Sequence, residues 1–309
     1  MTLQQLEYVV AIDKYRHFVK AAESCGITQS TLSSMLRKLE EELDLTLFDR
    51  NSHPIRPTLA GEEIIKQAKV VLFHSKQLQE MSLSERKKET GHIKLGVTTT
   101  VAPYVMPKLF KYIKDIPDLD ITAFELYRDE IVRMLKNADL DMAIMSLPGN
   151  EPDLLEIPLY KEKLWAYVSP LDSLHDEKEI DFTNMPRERL WALKHEICFQ
   201  KQITGLDNDY CESARSSIYE SGNIATLLRI VEENEGFTLI PELHIPLLRE
   251  NHKNNLRPFT NPTPFREVSL FVRNDFVRES LLNVVANGIK KIIPKEMQDE
   301  RLLKYQIRI

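Results

Sequence analysis

The residues best equipped for chemistry in this 309-residue chain are its three cysteines, Cys25, Cys198 and Cys211. A cysteine reacts as its thiolate, and cationic neighbours favour that form. Lys194, His195 and Lys201 flank Cys198, which makes this thiol a candidate redox centre. Trp191, Leu193 and Ile197 suit the alternative, a small buried hydrophobe. Cys25 falls on the inner face of a predicted helix and reads as a core thiol. No two cysteines have the close spacing of a zinc site. Walker, HExxH and GxSxG patterns are missing as well, so no metal, no cofactor and no enzymatic activity are expected.

A second chemistry is the recognition of DNA. Gln29, Ser30, Thr31, Ser33, Ser34 and Arg37 share one side of a predicted helix, while Leu32, Met35, Leu36, Leu39 and Leu43 fill the other. Thr28 is its expected N-cap, and Gly26 supplies the positive φ of the preceding turn. Two shorter helices, at residues 3–12 and 17–25, complete a helix-turn-helix. Its third helix would offer the polar side to base edges and phosphates. Leu45–Arg50 and Ile55–Thr58 bracket a turn at 51–54. As two short strands they form a wing, with Arg50, His53 and Arg56 placed for the backbone or minor groove.

The elements that position these groups follow from periodicity. Thr58 caps a helix expected to reach about Lys88. Its narrow stripe of Ile64, Ala68, Val71, Ser75 and Leu78 suits pairing with a second chain. A polar run, Glu85 to Gly91, reads as a linker. From His92 onward, strands at 92–97, 119–126 and 142–147 alternate with helices at 102–114 and 129–136, a βαβαβ pattern with parallel strands. Further strands are expected at 154–158, 164–168, 216–219, 237–240 and 268–272, and helices at 223–233 and 278–293. Thr98, Thr99 and Thr100 follow the first of these strands, at the end where α/β folds hold ligands. Thr100 is therefore a candidate effector contact, with helix capping as the alternative.

Composition sets limits on these readings. The net charge is −6, so DNA binding must rest on a local basic face of Arg37, Lys38, Arg50 and Arg56, close to Glu40, Glu41 and Glu42. No apolar run approaches the roughly 20 residues that span a bilayer. Met1 to Tyr15 lacks the order of a signal peptide, so a cytoplasmic protein without a membrane partner is expected.

The segment Phe18 to Ser33 (FVKAAESCGITQSTLS), with Leu39-Glu40 and Leu47-Phe48-Asp49-Arg50 after it, resembles the signature of LysR-type transcription regulators. The resemblance extends over the whole chain. It implies an α+β architecture overall: an α-rich winged helix-turn-helix, a long linker helix, and a two-lobed α/β effector domain similar to type II periplasmic solute-binding proteins. The implied boundaries are 1–58, 59–90 and 91–309, with lobe I at about 91–163 and 268–309 and lobe II at about 164–267. Within that family, Thr100 to Pro107 (TVAPYVMP), Leu190 to Leu193 (LWAL), Ser221 to Arg229 (SGNIATLLR) and Gly236 to Pro241 (GFTLIP) resemble the peroxide-sensing OxyR group.

That likeness implies a reactive thiol at Cys198, a resolving thiol at Cys211, and an effector set of Thr100, Arg128, Gln202 and Arg273. The chain departs from the group at Ile197 and Gln200, where the group has His and Arg, and at Arg128, where it has a pocket threonine. Cys211 also comes later than the usual resolving position near Asp207. The implied partners are double-stranded promoter DNA, further copies of the chain in a homodimer or homotetramer, and peroxide or a small-molecule effector. A rival within the family is a regulator that answers a small anionic metabolite near Thr100 and Arg128. A solute-binding protein or enzyme on the same scaffold is disfavoured by the helix-turn-helix and by the missing catalytic set.

Overall fold

The structure, a computed structural model, describes residues 1–50, 52–84, 91–146, 151–191, 223–260 and 263–298. The chain forms two compact units, the first of Met1–Lys87 with Asn137–Asp139 and the second of the remainder. No described helix is long and apolar enough to cross a membrane.

The first unit opens with α1 (Leu3–Tyr15), α2 (Phe18–Ser24) and α3 (Gln29–Leu43). Val9, Ile12, Ala21, Ala22, Leu32 and Leu36 meet in its core. Gly26 has φ +67°, and the Thr28 hydroxyl accepts from the Thr31 amide at 3.2 Å, as the sequence led us to expect. Strands β1 (Phe48–Asp49) and β2 (Arg56–Pro57) pair antiparallel and form the wing. Cys25, the C-cap of α2, packs against this core as expected of a core thiol, and is half-buried.

Helix α4 (Leu59–Ser84) starts where Thr58 caps it, with the Gly61 amide donating to Thr58 Oγ1 at 2.9 Å. Its expected stripe divides. Ile64 and Ile65 pack onto the core of the head and Ala68 is buried, whereas Val71 and Leu78 stay 42% and 70% exposed.

The second unit is built on β3 (Gly91–Thr98), α5 (Ala102–Ile113), β4 (Leu119–Leu126), α6 (Arg128–Lys136) and β5 (Met142–Met145). Strand β3 lies between β4 and β5, parallel to both, which is the expected βαβαβ arrangement. All four residues of β5 are buried because the sheet is covered on both faces. Met142 and Ile144 join one core cluster, Ala143 and Met145 the opposite one. Strand β6 (Leu154–Val168) corrects a prediction of two separate strands, since the chain runs through with only an irregularity between Pro158 and Tyr160.

The remaining described elements are α7 (Ile224–Glu233), β7 (Phe237–Pro241), the short α8 (Glu250–Lys253), β8 (Leu256–Arg257), β9 (Phe265–Arg273) and α9 (Glu279–Ile292). Up to Lys163, β6 pairs antiparallel with β9; from Leu164 it pairs with β7. One strand thus serves both lobes. The strand expected at 216–219 lies outside the described residues.

Gly61 shows how closely the wing and α4 approach. A Cβ there would stand 2.0 Å from the Leu47 carbonyl oxygen, which accepts the Thr58 amide. Glycine to alanine within a helix ordinarily stabilises by about 1 kcal/mol. Here the sign reverses: Gly61→Ala should destabilise the head by about 2 kcal/mol through backbone overpacking. Urea unfolding followed by circular dichroism would read this, and an unchanged or raised midpoint would reject the close approach.

Candidate functional site

Two surfaces carry the chemistry. On the head, Gln29, Ser30, Thr31, Ser34 and Arg37 are exposed and Ser33 is half-buried. Ser30 and Thr31 hydroxyls each lie 2.9 Å from Thr28 Oγ1, so they belong partly to the cap. Gln29, Ser33, Ser34 and Arg37 recur at helical spacing opposite the buried Leu32, Leu36 and Leu39. His53 and Arg56 are exposed on the wing. Arg50 is held instead by Glu40, with Nη2 to Oε2 at 2.7 Å. The other oxygen of Glu40 accepts the Leu47 amide at 2.8 Å, so this carboxylate joins α3 to the wing.

The second surface is a cavity of about 540 Å³ between the lobes of the second unit. Thr99, Pro103, Glu125 and Tyr127 line it from the β3, α5 and β4 side. Asn223 and Ile224 at the start of α7, with His244 in the turn after β7, line it from the other.

Beneath the lobes lies a fully buried ion pair. Arg266 on β9 and Glu162 on β6 are direct cross-strand partners, both 0% exposed, with Nε to Oε1 at 2.7 Å. Arg266 Nη1 donates to Thr100 Oγ1 at 2.8 Å, and Nη2 donates to the Thr100 carbonyl and the Tyr104 hydroxyl at 3.1 and 2.8 Å. The Tyr104 hydroxyl donates a hydrogen bond to Glu162 Oε1 at 2.7 Å and lies 2.8 Å from that of Tyr160. The second oxygen of Glu162 accepts the Leu243 amide at 3.2 Å. Burial, above all, raises both phenols well above their ordinary value, so they act as neutral hydrogen-bonding groups. His244, adjoining Leu243, is pushed down to about 4, first by burial and then by the charge of Arg266.

The family of bacterial regulatory helix-turn-helix proteins of the lysR type matches residues 3–62, and the LysR substrate binding domain matches residues 86–290. This chain belongs to the LysR family. It is a LysR-type transcription regulator with a DNA-binding helix-turn-helix and a two-lobed effector domain. The hydrogen peroxide-inducible genes activator of Haemophilus influenzae is 30% identical over 305 residues, 95% of this chain and 99% of that protein. A full-length OxyR variant from Pseudomonas aeruginosa superposes with a TM-score of 0.74 at 27% identity, covering 94% of this chain and 98% of that one. OxyR from Porphyromonas gingivalis gives 0.60 at 30% identity, covering 68% of this chain and 96% of its own.

Within the LysR effector domain the sequence-derived set separates. Cys198, Cys211 and Gln202 lie outside the described residues. Thr100 is fully buried and faces Arg266, while its neighbour Thr99 lines the cavity. Arg128, beside the cavity residue Tyr127, is bound to Asp129 Oδ1 through Nε at 2.9 Å and Nη2 at 2.7 Å. Arg273 is committed elsewhere, to both oxygens of Asp275 and to the Lys136 carbonyl. Sequence reasoning missed Glu162, Arg266, Glu125 and His244.

His244 sets a stability signature. Its folded value lies below that of an unfolded histidine, so the unfolded chain binds the extra proton between about 6.5 and 4. Its contribution is present above about pH 6.5 and is lost as pH falls toward 4. From pH 7 to pH 5 the effector domain should lose about 2 kcal/mol through this group alone. Urea unfolding of wild type and His244→Asn at both pH values measures it; equal pH dependence in the two proteins would reject the assignment.

Proposed function

We propose that this regulator senses hydrogen peroxide through Cys198 and passes the signal to promoter DNA bound by its helix-turn-helix. The carrying observation is the near-full-length likeness to proteins described as hydrogen peroxide-inducible genes activators and OxyR. Lys194, His195 and Lys201 around Cys198 supply cationic support for a thiolate. The thiolate sulfur attacks one peroxide oxygen, the O–O bond breaks, and hydroxide leaves, so that sulfur is oxidised to sulfenic acid as peroxide is reduced. The Cys211 thiolate then attacks that sulfur and expels hydroxide, forming a disulfide. Gln202 is the nearby polar group in sequence.

On the head, Gln29, Ser30, Thr31, Ser33, Ser34 and Arg37 meet the major groove, and His53 and Arg56 the flanking backbone. Arg50 acts chiefly by fixing the wing to α3. The exposed Val71 and Leu78 of α4 support assembly as a homodimer or homotetramer, whose two-fold symmetry an interrupted palindrome would mirror. The protein works as a cytoplasmic regulator, not as an enzyme. A second reading is favoured by the interlobe cavity itself: a small effector held there biases the arrangement of the lobes.

A peroxide titration of wild type, Cys198→Ser and Cys211→Ser tests the first reading, with thiol loss and promoter footprint read together. Wild type should lose two thiols and change its footprint; Cys198→Ser should do neither, and Cys211→Ser should stop at sulfenic acid. Wild-type thiols and footprint that ignore peroxide would overturn it.

Arg37→Ala tests the head separately. If Arg37 meets phosphate, affinity should fall across all sequences and the slope of log affinity against log salt should shrink by about 1 per site. An unchanged slope and affinity would remove Arg37 from the interface.

A further inference from the structure

We propose that the interlobe cavity takes a small ligand with an apolar body and a protonated-amine or neutral hydrogen-bonding head, and discriminates against carboxylates and other anions. The inference rests on the second reading above, in which the cavity holds an effector, and it runs against the anionic metabolite that the sequence suggested.

The charges lining the cavity decide the sign. Among the described lining residues, Glu125 is the one carboxylate, and none is a lysine or arginine. His244 is uncharged there, because burial and the Arg266 charge hold its proton affinity down. The nearby cations are committed: Arg128 to Asp129, and Arg266 to Glu162 with the Thr100 and Tyr104 oxygens. Among the described lining residues an anion would therefore meet a carboxylate and no lysine or arginine. The start of α7 offers little compensation. Its Ala225 amide already donates to the Asn223 side-chain oxygen at 2.9 Å, so the helix caps itself.

Two polar atoms in the wall lack partners. Thr99 Oγ1 and His244 Nδ1 are buried without a hydrogen bond, and His244 is only 7% exposed. Buried polar groups are ordinarily satisfied, so two orphans on one cavity indicate a hydrogen-bonding guest. Pro103, Ile224, Ala225 and Leu247 supply apolar wall. The volume of about 540 Å³ admits a ring-sized body.

Three probes of one shape, benzylamine, benzyl alcohol and benzoate, separate charge from size. Each is titrated against the full-length protein at pH 7 by calorimetry, beside Glu125→Gln and Thr99→Val. Benzylamine should bind best, benzyl alcohol more weakly and benzoate least. Glu125→Gln should weaken benzylamine about tenfold, as expected for one lost charge-assisted contact, and spare benzyl alcohol. Thr99→Val should weaken both. Benzoate binding as tightly as benzylamine would overturn the proposal, as would a Glu125→Gln variant that treats benzylamine like wild type. Failure of all three probes to bind would overturn it too. An unaltered peroxide response in that same protein would show that the cavity inference alone had failed.

Discussion

Arg266 cannot shed its proton at any pH a cell reaches, yet it has no exposure to water, and the effector domain is arranged around that fact. A buried guanidinium needs a counter-charge and an acceptor for each nitrogen. Glu162 provides the first from directly across the β6–β9 ladder. The Thr100 hydroxyl and carbonyl and the Tyr104 hydroxyl provide the rest. Removing one partner of such a pair typically costs about 3–5 kcal/mol, because the other charge is stranded. The pair also fixes register. A one-residue slip of β6 against β9 would turn Glu162 to the opposite face and set Arg266 opposite Lys161 or Lys163, a like charge.

That constraint reaches both lobes. Thr100 and Tyr104 lie at the start of α5, while the Leu243 amide that completes Glu162 belongs to the turn after β7. The groups needed to neutralise one arginine thus bind the floor of the cleft to both its walls. Burial first, and this charge second, disfavour protonation of His244, which lines the cavity. An effector that parts or closes the lobes must pivot about this cluster or break it. Since breaking it strands a charge, movement about an intact β6–β9 crossing is the cheaper course.

The legible parts of the chain were those with local signals. Helix α3 was visible because Gly26, Thr28 and the Leu32–Leu36–Leu39 face agree with one another within a few residues. The βαβαβ run was visible because strand and helix periods alternate cleanly. The continuity of β6 was not read, because Lys161, Glu162 and Lys163 look like a charged break. Yet Lys161 and Lys163 point outward while Tyr160 and Glu162 point inward, a period of two that the sequence did contain. Arg273, placed by the resemblance in the effector set, is instead paired with Asp275 two residues on. Arg266 and Thr100 stand 166 residues apart, and no spacing rule joins them. Thr100 was therefore assigned to the cleft by its position at a strand end, when it was needed by the arginine beneath.

Charge pairing also explains how an acidic chain carries a locally cationic face on its helix-turn-helix. Glu40, Glu41 and Glu42 follow Arg37 and Lys38 closely enough that a count by sequence would cancel them. In the fold, Glu40 is mostly buried and spends both oxygens internally, on Arg50 and on the Leu47 amide. Its charge is neutralised at the base of the wing rather than on the face that Arg37 occupies. Arg37, Lys38 and Arg56 remain exposed on α3 and the wing. With a Debye length near 8 Å at physiological salt, a phosphate at that surface responds to these nearest side chains and hardly to the net charge of the whole protein. Helix α3 can thus keep basic side chains exposed because one acidic neighbour, Glu40, is used to hold it against the wing.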